Sequence, residues 1–105
     1  MNDSLEAEFH EEMISIYYKA GRATEYWANR FLQKVRKDGG LKGAQGWLKP
    51  EKGLSPGLQR LAKEKRPDLS MEALVQKSKW KELFTEAQIR EARKRMEVIS
   101  KMAES

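Results

Sequence analysis

The chain has 105 residues, a net charge of +5 and no cysteine, which indicates one domain with a modest core and excludes disulfides, thiol catalysis and thiolate metal sites. The single histidine excludes a histidine-rich metal site, and no apolar run approaches the roughly 20 residues that a membrane helix needs. Because the acidic N-terminus also lacks a signal-peptide core, we expect a single helical domain over residues 1–105, cytoplasmic and without membrane contact.

The charge is distributed unevenly along the chain. Residues 1–18 contain five acids and no lysine or arginine, whereas residues 19–66 contain thirteen bases and four acids, a balance of +9. Residues 67–105 are nearly neutral. A positive field favours polyanions such as nucleic acid, or an acidic protein surface; a lysine-rich solvated surface is the alternative.

Apolar residues at steps of three and four predict a long first helix up to Gly21, where we expect a break or kink. A second long helix should follow and end at Gly39 or Gly40, because Arg36 and Lys37 suit its C-terminal turn. The predicted inner face of this second helix comprises Thr24, Trp27, Ala28, Phe31, Leu32 and Val35.

Three short helices are predicted in the middle of the chain. A serine before a helix supplies a side-chain cap, while proline is tolerated in a first turn and ends a helix that precedes it. The predicted helices are Leu41–Leu48 before Pro50, a helix from Ser55-Pro56 to Pro67, and Met71–Gln76 after Ser70.

The last part of the chain is predicted to hold an apolar patch and a long helix. Trp80, Leu83 and Phe84 form the patch, and Thr85 with Gln88 has the spacing of a capping box. No segment shows the period-two alternation of a strand. The predicted fold class is therefore all-α: a compact bundle of five or six helices with short helices in the middle and a long C-terminal helix.

Common catalytic and metal-site patterns do not fit. His10-Glu11 would begin a zinc-binding helix only with a second histidine at the position of Ile14, and di-metal helices need paired Glu-x-x-His units. Pro67-Asp68 would begin a nuclease motif, but no downstream acid is followed two residues later by a lysine. We therefore expect no enzyme activity, no metal and no cofactor.

The glycine cluster Gly39-Gly40-Leu41-Lys42-Gly43-Ala44 loosely resembles the turn of helix-hairpin-helix proteins. In those proteins a Gly-hydrophobic-Gly turn exposes backbone N–H groups that bind a DNA phosphate. Here Lys42 stands where the second glycine belongs. The alternative is that the glycines form only a helix cap and a close-packed corner.

A helix-turn-helix is the second nucleic-acid pattern, with Leu41–Leu48 as support and Pro56–Arg66 as reader. The connection Lys49–Ser55, seven residues, is longer than the usual three or four. The expected nucleic-acid contacts are Lys42, Lys49, Lys52, Gln59, Arg60, Lys63 and Arg66.

The tryptophans are the remaining candidates for base stacking. Large aromatic side chains in a small domain are usually core, and we assign Trp27 to the core from its place in the apolar stripe. Trp47, beside Lys49 and Lys52, is the tryptophan whose exposure should be tested.

A wider pattern runs through the chain from position 39 onward. It comprises Gly39-Gly40-Leu41, Ser55 before Gly57-Leu58 and Leu61, Asp68-Leu69-Ser70 with Glu72-Ala73-Leu74-Val75, Trp80, Leu83-Phe84-Thr85 and a helix with Ala92-Arg93, together with the preceding helix Asn29-Arg30-Phe31-Leu32. This pattern resembles a family of small bacterial proteins or domains of uncharacterised function. The resemblance implies a complete domain and no particular activity.

Two functions remain open. The first is a non-catalytic nucleic-acid-binding accessory protein that contacts phosphates with residues 19–66. The alternative is a protein–protein interaction module of a bacterial or mobile-element system, namely an adaptor, an inhibitor or a homo-oligomeric helical protein. We expect Arg60, Lys63 and Arg66 to share an exposed face that is not covered by Glu6, Glu8, Glu11 or Glu12.

Overall fold

The computed structural model describes residues 3–104; Met1, Asn2 and Ser105 lie outside the described residues. Within this range the α-helices are α1 Asp3–Thr24, α2 Asn29–Asp38, α3 Gly40–Trp47, α4 Pro56–Lys63, α5 Met71–Val75 and α6 Glu86–Glu104. Short 3-10 helices cover Pro50–Lys52, Pro67–Leu69 and Ser78–Leu83. The predicted all-α bundle is confirmed, with no strand in residues 3–104. None of these helices is long and apolar enough to cross a membrane.

Helix α1 is longer than expected, because Gly21 does not interrupt it. The helix continues to Thr24, whose hydroxyl donates to the carbonyl of Ala20 at 2.7 Å. It ends where Glu25 takes a φ of 63° and donates its N–H to the carbonyl of Gly21 at 2.8 Å. The predicted break at Gly21 is wrong; the missing side chain instead makes room for the ring of Trp27.

Helix α2 begins only at Asn29 and has ten residues. Thr24 therefore belongs to α1, while Trp27 and Ala28 lie in the connection. Trp27 is 43% exposed, so its assignment to the core is wrong. A periodicity of 3.6 places residues on one face only within a continuous helix, and the chain leaves helical geometry at Glu25.

The glycine cluster forms a helix cap and a close-packed corner. Gly39 ends α2 with a φ of 91° and donates its N–H to the carbonyl of Val35 at 2.8 Å. Gly40 packs on α1, since a β-carbon there would lie 2.7 Å from the α-carbon of His10. The N–H of Gly40 donates to Nδ1 of His10 at 2.8 Å. In a helix-hairpin-helix such a backbone N–H would bind a DNA phosphate, but here the N–H of Gly40 is already hydrogen-bonded to His10.

Side-chain caps confirm three predicted helix starts. The N–H of Thr85 donates to Oε1 of Gln88 at 2.9 Å and the N–H of Gln88 donates to Oγ1 of Thr85 at 3.1 Å, which is a capping box. The hydroxyls of Ser55 and Ser70 each accept a backbone N–H from three residues further on, at 3.1 Å.

Helix α4 ends well before Pro67, contrary to the prediction. Lys65 takes a φ of 62°. Its N–H donates to the carbonyl of Ala62 at 3.0 Å, and the N–H of Arg66 donates to that of Leu61 at 2.8 Å. These are the two hydrogen bonds of a Schellman motif. Because a lysine holds the left-handed position that glycine usually takes, the sequence shows no stop signal here.

The main core lies between α1, helices α2 and α3, and the short helices and the start of α6 in the second half of the chain. Phe9 and Met13 are fully buried, and the ring of Phe9 meets those of Trp80 and Phe84 edge-on, each at a centroid distance of 5.3 Å. The other buried members are Ile16, Val35, Ala44, Leu48, Met71, Leu74, Val75, Leu83 and Ala92. A second cluster, formed by Leu58, Ala62 and Ile99, joins α4 to α6.

Candidate nucleic-acid interface

The expected nucleic-acid contacts are all exposed at the surface. Lys42 lies on α3, Lys49 and Lys52 lie in the α3–α4 connection, Gln59, Arg60 and Lys63 lie on α4, and Arg66 follows the end of α4. The side-chain amide of Gln59 donates to the carbonyl of Leu54 at 3.2 Å, which ties α4 to the connection. All seven side chains are accessible to a partner in solution; that they bind nucleic acid stays a prediction.

Local acids pair with two of the cations around α4. Nε of Arg60 lies 2.9 Å from Oε2 of Glu64. The guanidinium of Arg66 donates two hydrogen bonds, each of 3.1 Å, to the carboxylate of Asp68 in a bidentate pair. The hydrogen bond from Arg66 lowers the pKa of Asp68, so this carboxylate stays ionised. Lys63 forms no ion pair within residues 3–104 and lies one turn from Arg60. Exposed ion pairs are weak, so a phosphate can replace these carboxylates.

The acidic first helix does not neutralise these cations. Glu8 pairs with Lys79 at 3.5 Å, outside the basic middle region. Across the described part of the chain, the acids that pair with residues 19–66 are Asp38 on α2, Glu64 directly after α4, and Asp68 in the 3-10 helix Pro67–Leu69. Among the described side chains of α1, Glu6, Glu8, Glu11 and Glu12 form no ion pair with the three basic residues predicted to share an exposed face, namely Arg60, Lys63 and Arg66.

Helices α3 and α4 do not pack as a helix-turn-helix. Helix α3 packs on α1 and α2, whereas α4 packs on α6 and on the turn Pro67–Leu69. The connection between α3 and α4 forms a 3-10 helix of its own, Pro50–Lys52. Because α3 and α4 pack on different parts of the fold, α3 does not hold α4 in the position of the DNA-recognition helix of a helix-turn-helix.

A cavity of about 660 Å³ opens between the α1–α2 connection and the α3–α4 connection. We call it the aromatic cavity after the rings that line it, which are Tyr17, Tyr26, Trp27, Phe31 and Trp47. Its size falls in the range of small-molecule sites. The sequence interpretation missed it, because the rings come from separate elements; adjacent aromatic residues in the connection, Tyr26 and Trp27, were the available signal.

Two aromatic pairs border this cavity. The rings of Phe31 and Trp47 stack at a centroid distance of 5.1 Å with an interplanar angle of 7°. Those of Tyr17 and Trp27 pack tilted at 5.6 Å. Trp47, the tryptophan singled out for a test of exposure, is half-buried against Phe31, and Nζ of Lys34 lies 5.7 Å from its ring centroid.

Cations surround the mouth of the aromatic cavity. Arg30 and Lys52 belong to its lining, and both are exposed. The guanidinium of Arg60 lies 5.2 Å from the ring centroid of Tyr26, which also lines the cavity. The basic surface and the aromatic cavity are therefore adjacent.

A buried ion cluster reaches the aromatic cavity from α5 and α6. Arg95 is 3% exposed; its Nε lies 2.7 Å from Glu91, its Nη1 lies 3.1 Å from Glu72, and its Nη2 donates to the carbonyl of Lys49 at 2.9 Å. Burial raises the pKa of Glu72, although the hydrogen bond from Arg95 acts in the opposite direction. Glu72 and Arg95 both line the cavity.

This cluster was also missed from the sequence. Glu91 and Arg95 are four residues apart and flank the buried side of α6 that carries Ala92 and Ile99. Charged residues at that spacing usually pair on a solvated surface. Their burial depends on Glu72, which a separate helix supplies.

No protein family, curated protein or solved structure matches this chain. The resemblance to small bacterial proteins therefore stays a prediction. Among residues 3–104, no group of three or more histidine, aspartate or glutamate side chains is placed to hold a metal ion.

Proposed function

We propose that the protein is a non-catalytic nucleic-acid-binding accessory protein, whose basic middle region contacts the phosphate backbone. The observation that carries the proposal is the exposure of all seven basic or amide side chains, with no ion pair to the acids of α1 in the described chain. A surface that keeps its positive field open to solvent attracts a polyanion. The adjacent aromatic rings supply a second kind of contact that nucleic acids use.

The test is a charge reversal with a matched control. Lys52→Glu with Lys63→Glu removes two exposed cations of the proposed interface, and Lys77→Glu with Lys81→Glu changes the net charge equally at exposed positions elsewhere. Binding of labelled oligonucleotides is followed over a range of salt concentrations. The first double variant should bind more weakly and lower the slope of log affinity against log salt, by up to about 0.9 for each duplex phosphate that the protein no longer neutralises.

Two outcomes oppose the proposal. If the protein binds neither duplex nor single-stranded oligonucleotides at low salt, nucleic acid is excluded as its partner. An equal loss in both double variants shows that net charge alone attracts the strand and that the basic middle region is not the interface.

A protein-interaction module is the second candidate. Val98 and Met102 lie one turn apart on α6, and each is 42% exposed. Lys94 and Glu97 border the same groove, and an apolar pair with a charged rim is typical of a protein contact. If this contact joins two copies, light scattering will show a dimer that Val98→Glu with Met102→Glu converts to monomer, whereas the exposed-site change Tyr18→Glu will not.

A further inference from the structure

The aromatic cavity combines ring faces with an open mouth. Trp27 is 43% exposed, so part of its ring is available to a ligand, while Trp47 is half-buried against Phe31. Each base stacked on an aromatic side chain adds binding energy whatever its sequence, because every base has a π face. A base inside a duplex is already stacked and paired, so only an unpaired base can enter such a cavity.

The charges at the mouth suit the phosphates on either side of such a base. Arg30 and Lys52 are exposed members of the lining and form no ion pair within residues 3–104. Arg60 lies over Tyr26, and in the described chain its one ion pair is with the half-buried Glu64. Cations beside stacking rings are the arrangement by which proteins bind single strands.

Two buried polar side chains, Glu72 and Arg95, also line the cavity. A guanidinium has five N–H donors. Arg95 uses one on each of Nε, Nη1 and Nη2, which leaves one N–H on each Nη without a partner in the described chain. Carbonyl oxygens and ring nitrogens of bases accept such donors. The carboxylate of Glu72 holds Arg95 in place and lines the same cavity.

We propose that the aromatic cavity binds one unpaired base of a single-stranded nucleic acid, while Arg30, Lys52 and Arg60 bind the flanking phosphates. The inference rests on the proposed function and narrows it from nucleic acid in general to single strands. The occupant is defined by chemistry: a planar base with hydrogen-bond acceptors on its edge, attached to a phosphate backbone.

The experiment compares three probes at one salt concentration: a short single-stranded oligonucleotide, the same strand with abasic sites, and the duplex. Trp27→Ala should weaken binding of the single strand by about five- to a hundredfold, and Trp27→Phe should keep most of the affinity. Tyr26→Ala is a second variant that leaves the Trp27 ring in place. Met102→Ala, at an equally exposed apolar site outside the cavity, should change nothing.

The expected pattern is that the intact strand binds more tightly than the abasic strand and the duplex, and that Trp27→Ala removes this difference. Equal binding of all three probes, abolished by raising the salt, overturns the cavity inference and leaves the phosphate-binding surface intact. Wild-type affinity for the single strand in both Trp27→Ala and Tyr26→Ala overturns it as well. If no probe binds at low salt, the proposed function fails together with this inference.

Discussion

The ring of Trp27 packs on the backbone of Gly21, in the space that a side chain at position 21 would occupy. A β-carbon there would overlap the six-membered part of the indole. This contact turns the α1–α2 connection back over α1, and it places Trp27 beside Tyr17 at the edge of the aromatic cavity. Gly21 is therefore required for the approach of a ring rather than for a break in the helix.

Alanine at Gly21 should destabilise the protein, although alanine is the better helix former. Helix propensity favours alanine by about 0.5–1 kcal/mol, but overpacking costs about 1–3 kcal/mol. Gly46→Ala is the control: the nearest atom to a β-carbon there is Cε of Lys34, 4.0 Å away. In urea denaturation Gly46→Ala should raise the free energy of unfolding and Gly21→Ala should lower it. A gain in both variants would show that the Trp27 ring moves aside freely.

The starts of the helices could be predicted from the sequence because their determinants are local. The Ser55 and Ser70 caps and the Thr85–Gln88 box depend on residues within three positions of one another. Gly39 likewise ends α2 through its own backbone conformation. The spacing of apolar residues also predicted which face of each continuous helix is buried.

The candidate site could be predicted only in part, because its interior depends on contacts between distant elements. The exposure of Lys52 and Lys63 follows from their charge. The position of Trp27 depends on where α1 ends, and Glu25 holds a left-handed conformation that glycine usually takes. The burial of Arg95 depends on two carboxylates and on a carbonyl 46 residues away. The Glu91–Arg95 spacing predicts a pair, but no sequence spacing predicts the contacts of Arg95 with Glu72 and with the carbonyl of Lys49.

Removing the guanidinium of Arg95 should cost about 3–5 kcal/mol of stability, because the carboxylates of Glu72 and Glu91 would remain buried without their partner. Arg95→Leu tests this by urea denaturation. Arg93→Ala, two residues away on the exposed side of α6, should change the free energy of unfolding by no more than about 0.5 kcal/mol. Similar small effects in both variants would mean that the carboxylates relax into solvent.

The pH dependence of stability should carry the signature of Glu72. Burial raises the folded-state pKa of this carboxyl above its ordinary value of 4.5, so the native state binds its proton more tightly than the unfolded state does. The stability from this group is complete below pH 4.5 and disappears as pH rises through the folded-state pKa.

Glu72→Gln removes that titration. The free energy of unfolding of the wild type minus that of Glu72→Gln should therefore fall as the pH rises above 4.5. Denaturation curves at several pH values measure it. A difference that rises with pH would show that the hydrogen bond from Arg95 outweighs burial and lowers this pKa.

Glycine at position 25 should stabilise the protein. Glu25 has a φ of 63°, which is costly for a residue with a β-carbon, and its side chain is exposed with no hydrogen bond or ion pair within residues 3–104. Allowing for the greater freedom of glycine in the unfolded chain, Glu25→Gly should raise the free energy of unfolding by about 0.5–1 kcal/mol. Glu25→Ala keeps the β-carbon and should give no such gain; equal effects of the two changes would contradict the conformational explanation.

The acids of α1 should have little influence on nucleic-acid binding. Deleting residues 1–18 cannot test this, because Phe9 and Met13 are fully buried in the main core and their removal would unfold the domain. Neutralising the exposed or half-exposed acids preserves the core; the variant is Glu8→Gln with Glu11→Gln and Glu12→Gln.

At physiological salt, exposed charges separated by more than the Debye length of about 8 Å are largely screened, and the ion pair of Glu8 is with Lys79 rather than with the basic middle region. The triple variant should therefore bind oligonucleotides much as the wild type does, with the same salt slope, while Lys52→Glu with Lys63→Glu lowers that slope. A steep gain in affinity on neutralisation would mean that α1 masks the basic surface in solution, and the acidic helix would then be an autoinhibitory element.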